Sequence, residues 1–203
     1  MIQTKKILYW PGMGKNNSVL SHFLSYIENM GMIITFFPLE YDKGEEPFYS
    51  GSLWFSWLKN NFYDWWIGIS LGASLAYMMA SLCEANIKPN RLTLINPFQS
   101  RHELSNERGF SLENQWDFSP MSKKLTIQNI DMVISINDEK IPIHHGIKLL
   151  NHITCTHKTL IIVDDYHCIE NPSAQKDLAN ILTSGKKMRN NYEQIKYCHF
   201  YQQ

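Results

Sequence analysis

Short apolar, β-rich runs alternate along this chain with segments whose apolar residues recur at helical spacing. Ile7, Leu8, Tyr9 and Trp10 make the first run, closed by the turn residues Pro11, Gly12 and Gly14. Residues 18–30 then carry Val19, Leu20, Phe23, Leu24 and Ile27 on one face, with Gly31 as a stop, which predicts a helix. Residues 32–37 read as a second strand, 42–52 as a loop, and 53–61 as a helix presenting Trp54, Trp57 and Leu58. A third strand over 65–69 runs straight into a helix over 71–85, and Pro89 and Asn90 break the chain before a strand at 92–95. The pattern closes with strands at 132–136 and 160–163, each followed by a helix, at 143–151 and 173–183.

Strands alternating with helices predict an α/β fold: a mostly parallel sheet with helices on both faces, in one domain over residues 1–203. Residues 99–130 interrupt the alternation. They are polar with scattered aromatics, and Phe110, Trp116, Phe118 and Met121 need a place to bury. The expectation is a short lid or cap crossing the C-terminal edge of the sheet, where such folds bind ligands.

Composition narrows the classes of function. Hydrophobic residues make up 44% and charged residues 19%, as in ordinary globular proteins. Nineteen basic residues balance nineteen acidic ones, which argues against a nucleic-acid partner. No stretch approaches the roughly 20 apolar residues needed to span a bilayer, so no membrane role is expected. The first apolar run is too short for a signal peptide and lacks a cleavage site. Cys83, Cys155, Cys168 and Cys198 are widely spaced, as suits reduced thiols, and the cytoplasm is the expected compartment.

Gly68-Ile69-Ser70-Leu71-Gly72 lies where the third strand meets its helix. A serine there sits on a strained turn that lifts its hydroxyl above the sheet, and the flanking glycines allow close packing around it. The following helix directs its free N–H groups and positive end toward an oxyanion at that point. Ser70 is therefore the expected nucleophile and the Leu71 N–H an expected oxyanion donor. A second donor is expected from the turn after the first strand, with the Met13 N–H as candidate and Gly12 as the alternative.

A serine hydroxyl needs a base, and the base a third group to orient it. For a serine on such an elbow, the resemblance to the α/β-hydrolase superfamily implies the chain order serine, acid, histidine. His167 follows the last expected strand and is the best placed of eight histidines; Asp138 follows the strand before it and is the favoured acid. Asp164 and Asp165 compete for that role, Glu139 falls one residue late, and Asp131 begins its strand and so is expected at the opposite edge. Trp10, Phe98, Trp116 and Phe118 are candidate substrate contacts, and His102 in the lid region is a weaker one. His22, His144, His145, His152 and His157 read as surface residues without the spacing of a metal site, so no metal is expected.

These residues resemble the α/β-hydrolase superfamily over nearly the whole chain: oxyanion turn at Pro11–Gly14, elbow at Gly68–Gly72, acid loop at Asn137-Asp138 and histidine loop at Tyr166-His167. Length, lid and the Asn96-Pro97 pair are similar to compact bacterial esterases of the YqiA type, although Pro11-Gly12 stands where many members have His-Gly. The resemblance implies hydrolysis of a carboxylic ester or thioester through an acyl-enzyme, on a small acyl substrate and without a cofactor. An alternative is a thioesterase or methyl esterase whose acyl group rides on acyl-carrier protein, met by Arg101, Arg108, Lys123 and Lys124. Acyl transfer through the same intermediate and a non-catalytic binding protein with the same fold are further alternatives.

Overall fold

The computed structural model describes residues 5–12, 20–37, 51–109, 117–122, 125–184 and 195–202, with the backbone alone at 51–53 and 195–202. Its strands are β1 (Lys6–Trp10), β2 (Ile33–Phe36), β3 (Trp65–Ile69), β4 (Arg91–Ile95), β5 (Thr126–Ser135), β6 (Thr154–Val163) and β7 (Ile195–Gln202). The longer helices are α1 (Ser21–Asn29), α2 (Gly51–Lys59), α3 (Leu71–Leu82), α6 (Ile143–His152) and α7 (Pro172–Ser184). Two shorter ones, α4 (Arg101–Arg108) and α5 (Ser119–Ser122), lie between β4 and β5.

Successive side chains on a strand point to opposite faces, and here each face builds its own core. Leu8, Trp10, Trp66, Leu92, Leu94, Ile130, Met132, Ile134 and Leu160 meet the apolar sides of α2, α3 and α6. Ile7, Tyr9, Trp65, Ile67, Ile69, Ile95, Val133, Ile161 and Val163 meet α1 and α7. Every residue of β3 is buried, which is why that strand reads as an unbroken apolar run.

The strand order is β2-β1-β3-β4-β5-β6-β7, with β1 through β6 parallel and β7 antiparallel to β6. The chain leaves β1 toward one side for β2 and returns to the other for β3. That reversal opens a crevice at the C-terminal ends of β1 and β3, where such sheets bind ligands. Register aligns the strand ends there: Trp10 pairs with Gly68, Ile69 with Ile95, Ile95 with Val133, and Ser135 with Val163.

Several boundaries differ from the sequence reading. The last strand is β7, not the run at 160–163, and β5 and β6 each begin well before the apolar stretches that announced them. Asp131 therefore lies inside β5 opposite Thr93, where it binds the Arg91 guanidinium at 2.6 and 3.0 Å and accepts from Thr93 Oγ1 at 2.7 Å. The polar stretch after β4 contains α4, capped by Ser100 Oγ accepting from the Glu103 N–H at 3.2 Å and ended by Gly109 in the left-handed region at φ 67°. Only Leu104 and Ser105 of α4 are buried, so it offers little apolar periodicity to read. Phe110, Trp116, Lys123 and Lys124 lie outside the described residues.

Candidate functional site

Ser70 separates β3 from α3 with φ 55° and ψ −125°, a sparsely populated conformation for a residue with a side chain. Surrounding bonds hold it there. The Ser70 N–H donates to the Ile95 carbonyl at 2.8 Å, and the Ser74 N–H donates to the Ser70 carbonyl at 3.1 Å.

The two motif glycines are required by sterics. A Cβ on Gly68 would lie 2.6 Å from the Ala73 Cα, and one on Gly72 would lie 2.2 Å from the Pro11 carbonyl oxygen. Both contacts are backbone, which cannot rotate away. The start of α3 is thus pressed directly against the end of β1. Gly12 adjoins the Ser70 turn, since a Cβ there would fall 3.4 Å from Ser70 Cβ. Met13 lies outside the described residues. Leu71 opens α3, so its N–H has no carbonyl partner within the helix.

His167 lies on the loop after β6. Its Nε2 is 2.9 Å from Ser70 Oγ, and its Nδ1 is 2.7 Å from Asp138 Oδ2. The Asp138 carboxylate is 1% exposed and the His167 ring 8%, so this pair works largely out of water. Asp138 Oδ1 also accepts from the N–H groups of Lys140 and Ile141, both at 2.8 Å, which fixes the carboxylate in its turn. The competing acids are engaged elsewhere. Asp165 accepts from the N–H groups of Tyr166 and Asn171 at 2.8 and 2.9 Å, and Asp164 accepts from the Asn137 amide at 2.9 Å. Asp165 thereby shapes the histidine loop, and Asp164 links it to the loop after β5. Gln175 holds the same loop from α7, donating to the Ile169 carbonyl at 2.7 Å.

Asn96 is the residue whose part the sequence did not disclose. It is 2% exposed, with φ 48°, immediately after β4. Its Oδ1 accepts from the Ser135 N–H at 2.8 Å, and its Nδ2 donates to Ser135 Oγ at 2.9 Å and to the His167 carbonyl at 2.7 Å. One amide thereby ties the ends of β4 and β5 to the backbone of His167. The visible signal was an Asn-Pro pair after a strand, which by itself marks only a turn.

The candidate substrate-contacting aromatics that are described all pack inward. Trp10 is fully buried, stacked on Phe37 at 3.8 Å between ring centroids, and Phe98 and Phe118 are 5% and 0% exposed in the same core. Trp116 is not among the described residues. His102 Nε2 is bonded to Asn106 on its own helix at 3.0 Å. The described thiols are held protonated: burial pushes Cys83 up to about 11 and also raises Cys155 and Cys168.

No protein-family model and no curated protein matches this sequence. Solved structures do. The esterase domain of a Rhodothermus marinus protein aligns at TM-score 0.67 with 12% identity, over 89% of this chain and 85% of its own. A monoacylglycerol lipase from Paleococcus ferrophilus aligns at 0.67 with 10% identity, over 89% and 93%. An extracellular α/β-hydrolase from a Paenibacillus species aligns at 0.62 with 11% identity, over 91% and 100%. The chain has the α/β-hydrolase fold.

Proposed function

We propose that this protein is a serine hydrolase that cleaves a carboxylic ester through an acyl-enzyme. The carrying observation is the continuous contact from Ser70 Oγ through the His167 imidazole to the Asp138 carboxylate, at 2.9 and 2.7 Å. Two structural neighbours, an esterase domain and a monoacylglycerol lipase, bear names that fit the same chemistry.

In the first half-reaction Ser70 Oγ attacks the ester carbonyl carbon while His167 Nε2 takes the hydroxyl proton. Asp138 keeps Nδ1 protonated and stabilises the imidazolium. The Leu71 N–H and an amide of the turn after β1, Met13 or Gly12, receive the oxyanion. The tetrahedral adduct collapses as Nε2–H gives its proton to the leaving alkoxide, releasing the alcohol. Water then attacks the acyl carbon with His167 as base, a second adduct collapses, and the carboxylic acid leaves with Ser70 restored. Every proton moved passes through one nitrogen.

A fluorophosphonate probe tests the nucleophile, and a panel of esters and thioesters of increasing acyl length tests the substrate class. Labelling at Ser70, its loss in Ser70→Ala, and turnover of free esters are expected. A folded wild-type protein that resists the probe, while a known serine hydrolase beside it reacts, sinks the reading. Far faster cleavage of the same acyl group from acyl-carrier protein would replace the esterase with the thioesterase. Among the described residues no helix is long and apolar enough to cross a membrane, and the assays use aqueous protein.

A further inference from the structure

Away from the Ser70 site, the polar helix α4 and the helix α6 that follows the acid loop are joined by two rows of polar contacts. Glu103 accepts from Lys148 Nζ at 2.6 and 2.9 Å. Glu107, one helical turn further on, faces two histidines: its Oε1 is 3.0 Å from His144 Nε2 and its Oε2 is 3.2 Å from His145 Nε2. Glu103 meets the later residue of α6 and Glu107 the earlier ones, so the two helices run antiparallel with these side chains between them.

The second row is more than a pair of hydrogen bonds. The His144 and His145 rings stack at 4.6 Å between centroids with 28° between planes, which sends two imidazole nitrogens to the same spot. One nitrogen from each ring and one carboxylate oxygen lie within 4.8 Å of one another. Tetrahedral zinc with bonds of about 2.0–2.2 Å places its ligand atoms roughly 3.3 Å apart; each Nε2 lies at a similar distance from its own Glu107 oxygen, 3.0 Å from Oε1 for His144 and 3.2 Å from Oε2 for His145. Two imidazoles and a carboxylate are a donor set for borderline transition metals rather than for calcium or magnesium. The exposures fit an accessible site with one anchored wall: the side chains of His144, Glu107 and His145 are 52%, 33% and 0% exposed.

We propose that Glu107, His144 and His145 form a binding site for a divalent transition-metal ion of the zinc class, clamping α4 to α6. The ion bonds to the Nε2 atom of each histidine and to a Glu107 oxygen, and water completes the tetrahedron on the exposed side. Ligation through Nε2 moves the ring proton to Nδ1. Among the described residues the Nδ1 of His145 is buried without a partner, so the site lacks one outer hydrogen bond that metal-binding histidines usually have. That omission weakens binding by about 10–100-fold relative to a fully supported site. The expected ion is therefore exchangeable and removable by chelators.

Chelator-stripped full-length protein is titrated with Zn²⁺ by calorimetry and with Co²⁺ by visible absorption. Wild type is expected to take one equivalent beyond what the His144→Ala, Glu107→Gln double variant takes, with a tetrahedral Co²⁺ spectrum and a raised melting temperature. His144→Ala and Glu107→Gln, singly, are each expected to weaken binding at least about tenfold. Both positions are partly exposed, and circular dichroism checks that the variants fold. Glu103→Gln breaks the neighbouring pair to Lys148 and is expected to leave metal binding unchanged. Equal uptake by wild type and the double variant would overturn the proposal. A loss in Glu103→Gln as large as in Glu107→Gln would also overturn it, because helix pairing rather than ligation would then govern uptake.

Discussion

Asn96→Ala is the substitution whose cost the structure allows to be worked out most fully. It removes three buried side-chain hydrogen bonds, to the Ser135 N–H, Ser135 Oγ and the His167 carbonyl. Ser135 Oγ loses a donor and, on a rotatable side chain, can turn toward another, but the Ser135 N–H and the His167 carbonyl are fixed backbone groups. Each such orphan costs about 1–3 kcal/mol. Asn96 also has φ 48°, and alanine bears the left-handed region less well than asparagine, adding about 1 kcal/mol. The total is roughly 3–7 kcal/mol. In a domain of this size each kcal/mol lowers the melting temperature by about 2–4 °C, so a fall of roughly 6–28 °C is expected.

Urea unfolding followed by near-ultraviolet circular dichroism measures the stability term, and ester turnover measures the catalytic one. With its carbonyl released, His167 can drift by about 1 Å, enough for roughly a 100-fold loss of kcat. Asn96→Asp separates the two effects. It keeps an acceptor for the Ser135 N–H but sets a carboxylate oxygen against the His167 carbonyl, so turnover should fall more than the urea midpoint suggests. If Asn96→Ala unfolds within about 1 kcal/mol of wild type and turns over normally, the amide is not what holds the histidine loop.

Other outcomes follow from the same geometry. Asp138→Asn should fold but lose about 10⁴-fold in kcat, because the asparagine amide can donate to Nδ1 and stabilise the wrong tautomer; ester kinetics with a thermal melt check this. Gly72→Ala would place its Cβ 2.2 Å from the Pro11 carbonyl oxygen, so the end of β1 and the start of α3 must part. A cost of about 3 kcal/mol or more, with loss of probe labelling at Ser70, is expected in urea melts and labelling gels. Cys83 is raised by burial from 9.0 to about 11, so the folded state holds this proton where the unfolded chain has released it. Its stabilisation is complete below about pH 9 and is lost as pH rises toward 11; melts between pH 8.5 and 10.5 should fall less steeply in Cys83→Ala.

Much of the fold was legible because its signals are local. The run at 65–69, the glycines at 68 and 72 and the helical period after Ser70 are confined to a short window, and the backbone obeys the same sterics there as in any elbow turn. Helices α6 and α7 announced themselves by periodic apolar faces. Strand alternation likewise implied helices on both sides of a parallel sheet. By contrast α4 buries almost nothing, and the early parts of β5 and β6 mix polar with apolar residues, so period and propensity were silent on them.

By itself, then, the sequence determined the succession of elements, the elbow at Ser70 and the short set of loops from which partners could come. Tertiary structure decided the rest. It put β7 antiparallel beside β6, gave Asp138 rather than Asp165 to the His167 imidazole, set Asn96 across two strand ends, and carried Glu107 to His144 and His145. Turns and periods depend on residues a few positions apart, whose geometry any short segment already contains. Partners tens of residues apart meet only through sheet order, register and the packing of helices on the sheet, and no local window holds that information.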